Sequence, residues 1–183
     1  VWIPCSACTR RWMTRASRWW RDMVLNDSRV HPAHPSLQKV RVQVDSGPMA
    51  ARQAFDLLKR GLADLALDVE ELAAIELVLA EVVNNIVEHA YANGQRRGPI
   101  HLCCHLRRDG LHFEFTDLGL PIPGKGTPPG LPVNVDVDLV DLPEGGYGWF
   151  LIQDLAKDVT YHRRGQVNHL SLRMALSKNA CEL

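Results

Sequence analysis

An excess of charge of either sign is missing from this chain. Its 183 residues hold 21 Lys and Arg against 21 Asp and Glu, a formal net charge of zero. That balance gives no support to a nucleic-acid-binding surface, which is usually basic. Long hydrophobic runs are missing too, since none approaches the roughly 18 residues expected of a transmembrane helix. Cysteine is sparse and odd in number: Cys5, Cys8, Cys103, Cys104 and Cys181. An odd set in a chain of this size does not read as a disulfide framework, and reduced thiols in a cytoplasmic protein are the expectation. Cys5-x-x-Cys8 has no second pair at zinc-finger spacing, so it makes a poor metal site. Cys103 and Cys104 adjoin in a predicted strand and so point to opposite faces.

The 46% hydrophobic content is that of an ordinary globular protein, and the length suits one compact domain plus an extension. Residues 1–36 differ from the rest. They carry Trp2, Trp12, Trp19 and Trp20 together with Arg10, Arg11, Arg15, Arg18 and Arg21. Two readings stand side by side: a basic membrane-surface helix, or an over-long start with Met23 as the true first residue. The segment lacks the apolar core of a signal peptide. His31, Pro32, His34 and Pro35 then read as a linker. The domain is expected over 37–176, with 177–183 as a tail.

Within that domain, Lys39 to Asp45 alternates polar and apolar residues as a half-buried strand does. Ser46 is a possible cap for a helix from Met49 to about Leu65. Asp68 as N-cap and Glu71 at the capping-box position open a second helix running to about Ala92, where Asn93-Gly94 stops it. Pro99–Arg107 and Leu111–Asp117 make a hairpin. A loop rich in Pro and Gly fills 118–146, and loops this long are commonly functional or disordered. Helix resumes from Tyr147 to about Asp158, followed by a hairpin of Asp158–Arg163 and Val167–Leu176. The order predicts an α+β sandwich: one mainly antiparallel (mixed) sheet with helices on one face.

The second helix has no Lys or Arg between Glu70 and Tyr91. At about 100° per residue, Glu81, Asn84, Asn85, Glu88 and His89 share an arc of roughly 140°. Val82, Val83, Ile86, Val87 and Ala90 fill the opposite side. A polar arc is commonly the wet side of an amphipathic helix. Wet faces, however, favour Lys, Glu, Arg and Gln, whereas Asn and His are poorer helix formers. The choice of residues points to side chains kept for what they bind.

Two further segments carry chemistry. Asp117-Leu-Gly119 ends a strand, and a carboxylate there can accept a hydrogen bond from an exocyclic amine such as that of adenine. Gly145-Gly-Tyr-Gly148 precedes a helix, where backbone N–H groups and the helix dipole favour phosphate. An Asn oxygen such as that of Asn85 suits Mg²⁺, a hard ion that also takes phosphate oxygens. Glu81, one turn earlier, can act as a general base toward a hydroxyl or water. His89 could touch phosphate or stack nearby.

In their order and spacing these segments resemble the GHKL ATPases, which include gyrase and the histidine kinases. Within them the chain looks most like the bacterial anti-sigma factor serine/threonine kinases. Glu81-Val-Val-Asn-Asn85-Ile-Val-Glu-His89-Ala-Tyr91 is similar to their N box. Asp117-Leu-Gly119 is similar to their first glycine box, and Gly145-Gly-Tyr-Gly-Trp-Phe-Leu-Ile152 to their second. The resemblance spans about 37–176 and implies a Bergerat-type ATP site under a lid of residues 120–144. It further implies that Asn85 ligates Mg²⁺, that Asp117 reads adenine, and that Gly119, Gly145, Gly146 and Gly148 shape the pocket. Asn168 stands where some relatives carry Thr near the adenine. Glu81 would then be the base for transfer of the γ-phosphoryl group to a Ser or Thr hydroxyl. The implied partners are a STAS-domain anti-anti-sigma protein, a sigma factor and a second copy of the chain in a homodimer. Glu144 departs from the pattern, because some relatives place a basic residue there. With Asp136, Asp138 and Asp141 it makes the lid acidic. That feature supports an alternative function, a non-enzymatic, nucleotide-dependent module that sequesters a partner.

Overall fold

The computed structural model describes residues 39–92, 95–123 and 147–177. The expectations for 1–36, for 124–144, for Gly145 and Gly146, and for the tail beyond Ser177 lie outside the described residues.

The alternation at the start gives strand β1 (Lys39–Asp45), with Val42 and Val44 buried and Arg41 and Gln43 exposed. Helix α1 (Ala50–Gly61) buries Ala50, Ala54, Phe55 and Leu58, one stripe at helical spacing. Ser46 does not cap it. The cap position falls at Met49, which makes no side-chain hydrogen bond. Ser46 instead joins β1 to the start of the next strand, donating its N–H to Gly98 O (2.9 Å) and accepting the Gly98 N–H on Oγ (3.1 Å).

Helix α2 (Val69–Asn85) opens with the expected capping box. Asp68 Oδ1 accepts the Glu71 N–H at 2.7 Å, and Glu71 Oε2 accepts the Asp68 N–H at 3.0 Å. The helix is not uniform to its end. Ile86–Ala90 forms a π-helical turn, and the Tyr91 N–H reaches back five residues to Ile86 O at 3.0 Å. Such turns are rare and concentrate at functional sites. Just beyond it the Tyr91 hydroxyl donates to Pro99 O (2.8 Å) and accepts the Leu118 N–H (3.2 Å), so helix end and sheet are tied together. Burial holds the Tyr91 phenol well above its usual pKa.

The remaining elements are β2 (Pro99–Arg107), β3 (Gly110–Asp117), α3 (Tyr147–Leu155), β4 (Lys157–Arg164) and β5 (Val167–Met174). The sheet order is β1-β2-β3-β5-β4, and all four pairings are antiparallel. Gly110 starts β3 at φ +124°, where a Cβ would meet Met174 O, so this turn needs glycine. Helix α3 stops at Leu155, earlier than the expected Asp158. Its last turn closes through Ala156 N–H to Ile152 O, and Asp158 sits at φ 54°, outside helical geometry.

The three helices cover one face, with α2 packed between α1 and α3. Ile75, Val78, Leu79, Val82 and Val83 of α2 meet Ile100, Leu102, Cys104, Phe113, Phe115, Leu170 and Leu172 of the sheet. Each such large side chain contributes about 1.5–3 kcal/mol by leaving water. Cys104 lies in this core while Cys103 lies on the opposite face, as strand alternation requires. The fold is an α+β two-layer sandwich. No helix among the described residues is long and apolar enough to cross a membrane.

Candidate functional site

Strand register builds a polar floor. Asp117 lies opposite Asn168, and Asn168 lies opposite Arg163. Three polar residues thus stand side by side where the next row on the same face holds Phe115, Leu170 and Tyr161. Asp117 is 5% exposed and Asn168 4%, and buried polar groups of this kind must be hydrogen-bonded. Asp117 Oδ1 accepts from Gly119 N (2.8 Å) and from Asn168 Nδ2 (2.7 Å). Oδ2 takes no hydrogen bond among the described residues. Burial pushes the Asp117 carboxyl up from its ordinary pKa, while the Asn168 and Gly119 hydrogen bonds and the charge of Arg163 pull it back.

Asn168 is saturated. Its Nδ2 donates to Asp117 Oδ1 and to Leu120 O (2.9 Å). Its Oδ1 accepts from the Tyr161 hydroxyl (2.8 Å) and from Arg163 Nη1 (2.6 Å). A primary amide has two donors and two acceptor lone pairs, so Asn168 has no hydrogen-bonding capacity left for a ligand. It holds Asp117 in place.

Above this floor lies a cavity of about 290 Å³, at the small end of the usual range for ligand pockets. Asn85, His89, Asp117 and Asn168 all line it, with Val82, Ile86, Trp149, Tyr161, Leu170 and the loop residues Leu120 to Pro123. The wall is mostly apolar with a few convergent polar groups, as in many small-molecule sites. The polar arc of α2 divides. Asn84 and Glu88 are exposed and lie outside the lining, as an ordinary wet face would. Asn85 is half-buried, and His89 sits exposed at the rim.

Glu81 is not in the lining. It stands beside Asn85 against the start of α3, and a Cβ on Gly148 would lie 2.5 Å from Glu81 Oε2 and 3.5 Å from Asn85 Nδ2. Bare backbone at 148 is what admits the carboxylate there. Gly119 serves packing instead. A Cβ there would be 2.5 Å from Ala90 O, and the next residue, Leu120, donates its N–H to that same oxygen at 2.8 Å. The glycine brings the end of β3 against the π turn.

Sequence reasoning missed Tyr161 and Arg163, and had Trp149 only as a member of the second glycine box. Tyr161 and Arg163 are two apart on β4, a spacing that places them on one face, but only register with β5 shows what they meet. Tyr161 also accepts the Ile122 N–H (3.1 Å), and Arg163 donates to Gly119 O (3.0 Å). Both therefore hold the first residues of the long loop.

A nucleotide with its cation fits these residues. Asn85 Nδ2 is buried without a hydrogen-bond partner, and its Oδ1 is unengaged among the described residues. One end suits an anionic oxygen and the other a hard cation. No group of three His, Cys, Asp or Glu among the described residues could hold a metal by itself. An ion here would lean on the ligand's own oxygens, as Mg²⁺ commonly does on phosphates.

Comparison with known proteins agrees with this geometry. Residues 44–174 match the family model described as "Histidine kinase-like ATPase domain". "Serine-protein kinase RsbW" of Staphylococcus epidermidis is 30% identical over 99 residues, covering 54% of this chain and 62% of the relative. The protein of the same name from Halalkalibacterium halodurans is 33% identical over 101 residues, covering 54% and 60%. The chain thus spans about three-fifths of the length of these curated relatives. A crystal structure of the RsbU and RsbW domains of a Mycobacterium tuberculosis protein superposes with a TM-score of 0.53 at 21% identity, over 82% of this chain and 35% of that one. At that identity the likeness speaks for the fold. The family match covers well over half of the sequence, and the chain belongs to the histidine kinase-like ATPase domain family.

Proposed function

We propose that this chain is an ATP-dependent protein serine/threonine kinase of the anti-sigma type, which phosphorylates a STAS-domain antagonist in a partner-switching circuit. One observation carries the reading: Asn85, whose Nδ2 is buried without a partner among the described residues, and the buried Asp117 line the same cavity. Asp117 Oδ2 accepts the exocyclic amine of adenine, and Val82, Ile86 and Leu170 enclose the base. Asn85 Oδ1 would hold Mg²⁺, which when bound offsets charge on the phosphates. The N-terminus of α3 lies beside Asn85 and favours the phosphate anions. Glu81, next to Gly148, takes the proton from the attacking Ser or Thr hydroxyl. His89 at the rim lies within reach of the phosphate chain. The relatives' name supports transfer to serine. The proposed domain is 37–176, and a sigma factor and a second copy of the chain are the further proposed partners.

The test is calorimetric titration with ATP, in Mg²⁺ and then in EDTA, on the wild type and Asn85→Ala. Mg-dependent binding that Asn85→Ala lacks is the expected result. Equal affinity in the two proteins removes Asn85 from the site. Binding without transfer to any STAS-domain protein replaces the kinase with a nucleotide-dependent sequestering module.

A further inference from the structure

The side chain of Asn168 has two ends of opposite hydrogen-bonding character, and its neighbours decide which end goes where. Arg163 has only donors, and its Nη1 lies 2.6 Å from Asn168 Oδ1. Tyr161 accepts the Ile122 N–H at 3.1 Å, so its own proton goes to Asn168 Oδ1 at 2.8 Å. Both groups require oxygen at that end. The amide nitrogen is thereby turned to Asp117 Oδ1 at 2.7 Å. Hydrogen-bond polarity runs one way, from β4 through Asn168 into Asp117, and leaves Oδ2 as the acceptor free for a ligand.

We infer that Tyr161 and Arg163 are specificity-determining positioning residues: by fixing the orientation of Asn168 they keep Asp117 an acceptor, so that the cavity takes a purine with an amino group at C6 and rejects one with a carbonyl there. The inference rests on the nucleotide reading above. It adds Arg163, which is outside the cavity lining, and Tyr161, which lines the cavity but whose hydroxyl is engaged by Asn168 and Ile122. Without Arg163 the Asn168 oxygen loses its charged donor, and the turned amide, which Tyr161 and the Leu120 carbonyl still oppose, becomes less costly. Its oxygen would then face Asp117, a contact that only a protonated carboxyl satisfies. A protonated Asp117 can donate to a 6-oxo group, so discrimination is lost from both sides. Arg163 also lowers the Asp117 pKa against the rise that burial imposes, and its removal acts in the same direction. The same two side chains hold Gly119 O and Ile122 N, so base recognition and the root of the long loop share one network.

The experiment compares ATP and GTP binding by calorimetry to the full chain, as wild type, Tyr161→Phe, Arg163→Met and Arg163→Lys. Arg163→Met is expected to narrow the ATP-to-GTP ratio by about tenfold or more, the effect of losing one charge-assisted hydrogen bond. Tyr161→Phe is expected to narrow it less, and Arg163→Lys, which keeps donor and charge, to restore it. A ligand-free readout accompanies this: hydrogen exchange of the Asn168 side-chain amide by ¹⁵N NMR. Exchange should be slow in the wild type and in Arg163→Lys, and fast in Arg163→Met. An unchanged nucleotide ratio in both folded Tyr161→Phe and Arg163→Met overturns the inference, as does unchanged amide exchange. If Arg163→Met does not fold, Tyr161→Phe and Arg163→Lys carry the same comparison. A wild type that binds neither nucleotide overturns the nucleotide reading and the selectivity with it, while the exchange experiment still decides whether Arg163 orients Asn168.

Discussion

Replacing Gly148 by Ala should separate stability from activity. The added Cβ would lie 2.5 Å from Glu81 Oε2, so the carboxylate must retreat to about the 3.4 Å of an ordinary contact. The atom that moves is the far end of a flexible side chain, and a small rotamer adjustment costs about 1 kcal/mol at most. Ala in place of Gly in a helix returns up to about 1 kcal/mol. The two nearly cancel, so the melting temperature should stay within about 3 °C of the wild type. Asn85 Nδ2 would be 3.5 Å from the new methyl, an ordinary distance, so nucleotide affinity should survive.

Turnover should not survive. Displacing a catalytic base by the better part of an ångström costs on the order of 100-fold in rate, or about 3 kcal/mol on the barrier. The assay is ADP formation under single-turnover conditions, alongside a thermal melt. Glu81→Gln provides the floor, and adding Gly148→Ala to it should produce little further loss, because both changes act on one group. Wild-type turnover in Gly148→Ala refutes Glu81 as the base. A melting temperature lowered by 8 °C or more would instead show that glycine is needed here for the fold.

Gly119→Ala should behave in the opposite way. Its Cβ would lie 2.5 Å from the Ala90 carbonyl oxygen, which is backbone and cannot swing aside. A loss of about 1–3 kcal/mol is expected, seen as a lower urea midpoint at unchanged slope. Asn85→Ala should stabilise the ligand-free protein by about 1 kcal/mol, because it removes a buried unpaired donor and adds a better helix former. A melt in the absence of nucleotide checks this. Burial lowers the pKa values of His101, His105 and His169. A lowered folded-state value means that the unfolded chain binds more protons once the pH falls below about 6.5, so these histidines should make stability drop from there toward pH 5.5 and contribute no slope between about pH 7 and 8. Melting curves across that range read it directly, and His101→Gln should weaken the slope.

What was legible in the sequence was local. Asp68 and Glu71 are three residues apart and meet as a capping box because that spacing closes within one helical turn. The alternation in Lys39 to Asp45 and in β3 placed the core face of each strand. The N-box helix, the Asp117 strand end and the Gly148 helix start could be placed on their elements, so a shared cavity could be expected. The unread parts depend on groups distant in sequence. Tyr161 and Arg163 matter only because β4 pairs with β5 in the register that sets Arg163 beside Asn168. The π turn at Ile86–Ala90 has no composition of its own, and it leads into Tyr91, whose contacts are Pro99 and Leu118. Ser46 stands where a helix cap would, but its Oγ accepts from Gly98, 52 residues away in sequence.

The site combines two opposite treatments of buried polarity. On the sheet side every hydrogen-bonding position of Asn168 is filled by protein groups, and the result is a floor that holds its shape without a ligand. On the helix side Asn85 Nδ2 is left unfilled, at a stability cost that its replacement by Ala would recover. A fold under no other constraint would resolve that vacancy, since a buried unpaired donor costs about 1–3 kcal/mol. It belongs to a residue one turn from the half-buried Glu81 that lines the same cavity as Asp117, and under the proposed function its partner is the bound nucleotide. Under the proposed function the saturated groups would give the site its orientation and the unsaturated ones its affinity. The distinction also separates Asn168 from Asn85: two asparagines on one cavity, one with every hydrogen-bonding position filled and one whose Nδ2 has no partner among the described residues.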